Sequence, residues 1–591
     1  MPAPNEQSAL PFSIDRTVAR DNLLLVGVAS FLCGLIVAVH TIYITVITRT
    51  PVLVFDEWRV LARYIELKAD RLSLLSFLWE NYQGHRPAIS RLLFILDANT
   101  VGGTQVLTKT VAIILWVLLV LLFAVVHLRR RQLPWGTQLI GVGLLVLVLF
   151  PNQQVYNFGI GWNSAIIASV LFSVLALFLL IKSIEDKVNS KRAFALFVCS
   201  LLGGVLSTFS MANGLLIWPI MFLVCTRFRA WRWATTVTIV GTIIVTTYFL
   251  DFQQGEALLD SLRNPQEFLY FFVTFLGIPS FGILGSRGTI FFGAIAILLV
   301  AYHFFRQGRH VDDNTPSVCL LLGICLFLIA TAAMVSVGRF RLDIEPALVP
   351  RYYSFASPLW AALLLLGFIL HKQKLEKNPE SVVWVVSDAG VLLVSMCICA
   401  SAYLTGPSSE LLKLHLHDDR EFAATAIVAG APDRSVLKNI YPISDIDVLS
   451  LVPYLVSNRL SIFHSDIDYF LYQKAHNDLH KPLSANAVLN GDWCVGAIDN
   501  IHKLDEGHSS STWYQISGWS LDHHERNADA VIFTDEDGRI MGIGRLFLAE
   551  PMMGRVFNGY VNIGAGRSII AYAFRADRHH LCRLGKAQFR Q

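Results

Sequence analysis

Along most of this chain apolar positions do not alternate with polar ones; they come in unbroken runs that end in clusters of Lys and Arg. A helix needs roughly 20 mostly apolar residues to cross a bilayer, because every backbone N–H and C=O must find its partner inside the segment. By that measure eleven runs are expected to span: 22–47, 106–127, 137–151, 164–181, 193–209, 214–226, 234–250, 288–305, 317–337, 354–371 and 382–404. The third and sixth are short for the purpose. The first is too long for a signal-peptide core and lacks a small-residue cleavage site, so it reads as a retained anchor.

Beyond residue 404 the pattern changes twice. A charged connector, 405–488, carries helical spacing: in "DIDVLSLVPYLVSNRLSIF" residues Val448, Leu449, Leu451, Val452, Leu455 and Val456 fall on one side of a helix. From 489 to 591 the period becomes that of strands, as in "WYQISGWSL", "DAVIFTDEDGRIMGIGRLF" and "SIIAYAF". Asp537-Gly538 is a hairpin turn signal. Asp535 and Asp537 suggest calcium, but the remaining ligands of a calcium loop are lacking and a turn accounts for both. The expected fold is a polytopic α-helical membrane protein, with a tail of residues 1–21, a membrane domain of 22–404 and a small C-terminal β-sandwich.

Charge adds sidedness. Cytoplasmic loops retain Lys and Arg. Arg16 and Arg20, Arg129 to Arg131, the group Lys182, Lys187, Lys191 and Arg192, then Arg227, Arg229 and Arg232, Arg306 and Arg309, and Lys372, Lys374 and Lys377 all fall on one side when the eleven runs are threaded in order. The segment 267–281 then lies against the opposite, outer face. The amino terminus is expected inside and the carboxyl terminus outside. A net charge of only +4 argues against a nucleic-acid partner.

Seven of the nine cysteines lie inside the expected spans, and the other two, Cys494 and Cys582, bracket the β-rich tail. Disulfides persist outside the cytosol, so these two are expected to be bonded. Two unrelated buried thiols are the alternative.

The chemistry sits in the outer loops. "VFDEWRVL" puts Asp56 and Glu57 just after the first run, and "ENYQGHRPAISRLL" puts His85 and Arg86 in the same long loop. Between them Trp58, Leu61, Ile65, Leu72, Leu75, Phe77 and Leu78 are spaced among charges as in helices lying at the membrane surface. A carboxylate there can take a proton from a hydroxyl, while His and Arg stabilise charge developing on a phosphate. The plainer alternative makes Asp56 a helix cap, His85 a rim residue and Arg86 a headgroup contact. Other outer loops hold amides beside aromatics suited to sugar hydroxyls: Gln153, Gln154, Tyr156, Asn157, Trp162 and Asn163, then Asn213 with Trp218. "GRFRLDIEPALVPRYYSF" sets Arg339, Arg341 and Arg351 on the side where cations are scarce, calling for an anion or for pairing with Asp343 and Glu345.

"FDEW", the later "HR", "NQQVYNFGIGWN", "NGLLIWP" and "RYY" before a late span together resemble the GT-C class of integral-membrane glycosyltransferases. The tail, with "GWSLD" and "TDEDGRIMGIG", is similar to β-domains attached to some bacterial members. The resemblance implies transfer of a sugar from a polyprenyl-phosphate donor to a glycan or other acceptor on the outer face, usually with inversion. It makes Asp56 the base, Glu57 a neighbouring acid or metal ligand, and His85, Arg86, Arg341, Arg351 and Tyr352 the donor-phosphate contacts. Gln154, Asn157, Trp162, Asn163 and Asn213 would meet the sugar or acceptor. The second acidic motif of many relatives has no counterpart in 251–287, which leaves a divalent metal cofactor open. Two rival classes stand beside this one. A flippase of lipid-linked sugars would place charges at mid-membrane and show inverted repeats; a non-catalytic glycan-binding assembly protein would work through the β-domain alone.

Overall fold

The computed structural model describes residues 16–129, 133–186, 190–252, 263–307, 315–339, 345–377, 406–443, 445–483, 488–489, 493–504, 512–522, 528–548, 555–563, 567–575 and 580–589. The eleventh expected span, 382–404, lies outside them, as do Arg341 and Asp343. The bundle begins with α1 (Arg16–Ile47), α2 (Asp56–Lys68), α3 (Leu74–Trp79), α4 (Ala88–Thr100) and α5 (Val106–Leu128). It continues through α6 (Trp135–Leu149), α7 (Gln154–Phe158), α8 (Ser164–Glu185), α9 (Lys191–Thr208), α10 (Ile217–Arg227) and α11 (Trp231–Tyr248). It closes with α12 (Pro265–Gly277), α13 (Phe281–Gln307), α14 (Thr315–Arg339) and α15 (Tyr353–Lys377).

Among the described residues seven helices are long and apolar enough to cross a membrane, carried by α1, α5, α8, α9, α13, α14 and α15. Runs three and six form shorter apolar helices, Trp135–Leu149 and Ala212–Arg227. The run at 234–250 forms α11, which is helical but threaded with Thr and is not one of the seven. Their length and composition are compatible with a multi-pass membrane protein. α1 meets α6 through glycines: a Cβ on Gly27 would stand 2.5 Å from the Gly136 carbonyl oxygen, and one on Gly34 would stand 2.7 Å from that of Gly143. Such close backbone approach is how membrane helices gain packing energy where no hydrophobic drive separates them from lipid.

The connections sort to two ends. At one end Arg129, just past α5, lies 5.0 Å over the Phe178 ring of α8, and Lys182 of α8 pairs with Glu185. At the other end five segments meet. Ile89 N–H donates to the Phe209 carbonyl (3.3 Å), Ser90 and Ser164 share a hydroxyl bond (3.1 Å), Arg86 Nε donates to the Tyr248 carbonyl (2.8 Å), and Asn157 Nδ2 donates to the Pro350 carbonyl (3.1 Å).

The connector is a helical layer of α16 (Gly406–Ala429), α17 (Arg434–Ile440), α18 (Val448–Ser457) and α19 (Asp466–His476). In α18 Val448, Val452 and Leu455 are buried, the i, i+4, i+7 face of the sequence pattern. That face and the apolar side of α2 enter one core, with Trp58, Leu61, Tyr64, Ile427, Val452 and Leu455 all buried in it. α2 was expected to lie on the membrane surface; its apolar stripe is instead covered by protein. On α3 the expectation fits better, since Leu74 and Leu75 are 51% and 74% exposed.

The tail is not a sandwich. Seven antiparallel strands form one sheet: β2 (Cys494–Lys503), β3 (Trp513–Asp522), β4 (Ala530–Thr534), β5 (Ile540–Leu548), β6 (Arg555–Asn562), β7 (Ser568–Arg575) and β8 (His580–Gln588), with the short β1 (Val488–Leu489) parallel to β8. Their order, β8-β7-β4-β5-β6-β3-β2, puts the two Cys-bearing strands at opposite margins, yet Cys494 and Cys582 are bonded. The sheet therefore rolls into a barrel-like form around Ile516, Phe533, Phe557, Val561 and Ile569. A Cβ on Gly559 would stand 2.3 Å from the Phe533 ring, so glycine makes room for that filling. The turn at Asp537-Gly538 is as expected: Gly538 has φ 75° and the Asp535 carboxylate accepts from Arg539 N–H (2.7 Å). β4 is buried on both faces because its outward side docks on the connector, which explains its unbroken apolar run.

Candidate functional site

The opening "VFDEW" becomes a strained turn into a helix. Phe55 precedes α2 with φ 51° and ψ −125°, a region that a bulky side chain rarely occupies, held there by its N–H to the Ile440 carbonyl (2.6 Å). Asp56 and Glu57 form the first turn of α2, where a helix N-terminus favours negative charge, and Asp56 is not the cap. Successive helical residues diverge by about 100°, and the two carboxylates part company accordingly.

Asp56 is partly exposed. Its Oδ1 accepts from the Tyr82 hydroxyl at 2.5 Å, and among the described residues its Oδ2 carries no hydrogen bond. Tyr82 is itself buried, receives Gln83 Nε2 (3.2 Å) and lies under Arg59, whose carbon stands 5.1 Å from the ring. Burial first, then the Asp56 carboxylate, drive the Tyr82 hydroxyl well above its ordinary range, so it stays a donor. The turn that presents it, Gln83-Gly84, has φ 47° and 80°, as a two-residue hairpin turn with two positive φ angles requires.

Glu57 points inward and is saturated. Oε2 accepts from Val54 N–H (2.8 Å) and Gln105 Nε2 (2.5 Å), and Oε1 from Trp162 N–H (3.1 Å). Burial raises its pKa, opposed by Lys109 and these donors. It joins three segments. A divalent ion does not fit this pair: both Glu57 oxygens already face N–H groups, and among the described residues no three His, Cys, Asp or Glu side chains come close enough to hold a metal.

His85 and Arg86 separate similarly. His85 Nδ1 accepts from Ala212 N–H (3.4 Å), and burial, then Arg339, pull its pKa down to about 4. At neutral pH it is an uncharged imidazole, able to donate only through Nε2. Arg86 is buried, its guanidinium donating to the carbonyls of Tyr248 (2.8 Å), Trp79 and Leu250 and packing 4.7 Å over Trp79. Three of its five guanidinium N–H groups are spent on backbone, which leaves two for the phosphate contact expected of it.

The amide-rich loop is likewise tied inward. Asn157 Nδ2 donates to Gln154 Oε1 (2.7 Å) and to the Pro350 carbonyl, Asn163 Nδ2 to Asn157 Oδ1 (3.4 Å), and Ser354 Oγ to Gln154 Oε1 (3.3 Å). Asn213 accepts from Ser169 Oγ (3.0 Å) and donates to Thr331 Oγ1 (3.3 Å), joining α8 to α14. Sugar contacts were expected from these buried amides; their bonds run to backbone, to helices and to one another, and Gln154 Nε2 is buried with no partner among the described residues. Trp162 differs: it is only half-buried and meets Tyr82 edge-on at 6.0 Å.

Arg351 is where an anion contact was expected. Its Nε is buried without a hydrogen bond, and its guanidinium lies 5.4 Å over Tyr352. The Tyr352 hydroxyl is buried, also without a partner, and its ring packs against Phe271 and Phe275. Tyr156 feels the charges of Arg351, Arg420 and Asp56, and burial raises its hydroxyl first of all. Arg420, from the connector, carried no signal in the sequence. Asp97 was missed as well; it accepts from Gln105, Leu107 and Thr108 N–H (2.8, 2.8 and 3.1 Å) and caps α5 from another helix. No family model, no curated protein and no solved structure matches this chain.

Proposed function

We propose that the protein is an enzyme of the bacterial inner membrane, a GT-C-like glycosyltransferase that moves a monosaccharide from a polyprenyl-phosphate donor to a glycan or similar acceptor on the outer face. The observation that carries the reading is Asp56: a carboxylate with one oxygen held by Tyr82 and the other open, at the bundle end where five connections converge. In the reaction Asp56 takes the proton of an acceptor hydroxyl as that oxygen attacks the sugar's anomeric carbon. The bond from that carbon to the phosphate oxygen breaks, and the polyprenyl phosphate leaves with the electron pair. Tyr82 orients the base, and Arg351 faces the departing phosphate.

The arrangement suits a lipid-borne donor. Its prenyl chain can remain in the bilayer beside the helices while the phosphate sits at their ends. The test is Asp56→Asn in membrane vesicles given a radiolabelled polyprenyl-phosphate sugar and acceptor glycan. Loss of transfer by at least about 100-fold, with expression and the Cys494–Cys582 bond retained, is expected for a general base. A fully active variant ends the assignment.

A further inference from the structure

The connector helix α16 reaches the same end of the bundle. Its Arg420 is 8% exposed and lies against the loop before α8, where Nη1 donates to the Gly159 carbonyl at 3.1 Å. Among the described residues that is its one hydrogen bond, and its remaining guanidinium donors are unspent. Arg351 is in the same condition, with a buried Nε that nothing receives and no carboxylate among the described residues paired to it. Tyr156 lies within electrostatic reach of both arginines. Arg86 differs in degree: it gives three of its five guanidinium N–H groups to carbonyls, Arg420 one.

Lys109 donates to the Thr50 carbonyl (2.9 Å) and shares Glu57 with Arg420, which also feels Asp419. One loop links the two arginines: Gly159 holds Arg420, and Asn157, two residues earlier, donates to the carbonyl of Pro350, the chain neighbour of Arg351 (3.1 Å). The guanidinium N–H groups left unspent on two such arginines suit a tetrahedral oxyanion.

We propose that Arg420 and Arg351 form a two-arginine seat for a phosphate ester, so that the connector contributes a substrate-contacting residue to a site otherwise built from the bundle. This rests on the transferase reading for its substrate, but binding measured without acceptor does not depend on transfer. The full chain in nanodiscs is titrated with a polyprenyl monophosphate and, separately, with inorganic phosphate. Arg420→Gln should weaken binding on the order of 30-fold, the loss expected for one charge-assisted contact. Arg420→Lys, which keeps the charge and can keep the Gly159 bond, should weaken it by only about fivefold. It also serves where the Gln variant fails to fold. Tight binding of the lipid alone, or of inorganic phosphate as well, supports the seat and tells which source fills it. Wild-type affinity in Arg420→Gln, or a wild type that binds neither probe, overturns it. Should Asp56→Asn prove active while Arg420→Gln still loses phosphate, the seat stands and the transferase reading falls.

Discussion

His85 shows how a single side chain couples this site to pH. In the unfolded chain an imidazole titrates near 6.5, whereas burial beside Arg339 brings it down to about 4. Between those values the unfolded chain holds a proton that the folded one does not. The stability tied to a neutral His85 is thus complete above about pH 6.5 and is lost as pH falls toward 4, by about 3 kcal/mol in all. His85→Gln keeps an acceptor for Ala212 N–H and removes the titration. Its melting temperature should fall less steeply than wild type between about pH 7 and about pH 4.5; parallel curves would show that His85 protonates freely. Neighbouring residues account for what could be read in advance at this scale. Residue type marked Asp56 as a candidate base, but Glu57 and Arg86 share its address and differ only in which way the backbone turns them. Direction is a tertiary fact, and the string "FDEW" does not contain it.

At the scale of elements, period was legible and partner was not. The helical stripe of α2, the i, i+4, i+7 face of α18 and the hairpin at Asp537-Gly538 all follow from spacing. What covers an apolar stripe does not: α2 would look the same under headgroups as under the connector. Strand alternation is likewise common to sandwiches and barrels. The choice was made by the margins, where β2 and β8 are joined by a bond spanning 88 residues of chain. Replacing both Cys494 and Cys582 by Ala should cost the barrel about 2–5 kcal/mol. That would appear as a thermal midpoint that falls with the substitution and no longer responds to reductant. A midpoint unchanged from wild type would mean that packing alone closes the roll.

Across the whole molecule one ionic cluster holds the barrel to the connector. Arg545 of β5 donates to Glu421 (2.5 Å) and Asp468 (2.6 Å), and all three are largely buried. Burial lowers the arginine's pKa, but the two carboxylates more than reverse this, so it stays charged. Tyr560 adds a hydroxyl to Asp433 at 2.8 Å. Arg545→Ala would leave two carboxylates buried without a cation, at a cost of about 3–5 kcal/mol. Hydrogen exchange should then rise in α16, α19 and the outward faces of β5 and β6. Unaltered protection would show that apolar contact suffices.

The loop carrying Asp56 is itself pinned by this distant half. His417 Nδ1 lies 3.1 Å from the Thr48 carbonyl, Ser461 Oγ donates to the Pro51 carbonyl at 2.6 Å, and the bonded positions are 369 and 410 residues apart. A growing chain delivers residues 48–56 to the membrane long before it makes their clamps. During synthesis the carboxylate must wait on an unfinished loop while helix after helix is inserted behind it. Assembly of the end that carries Asp56 is therefore among the last events of the molecule's birth, and a nascent chain stopped at the final membrane helix would emerge anchored with that loop still unclamped.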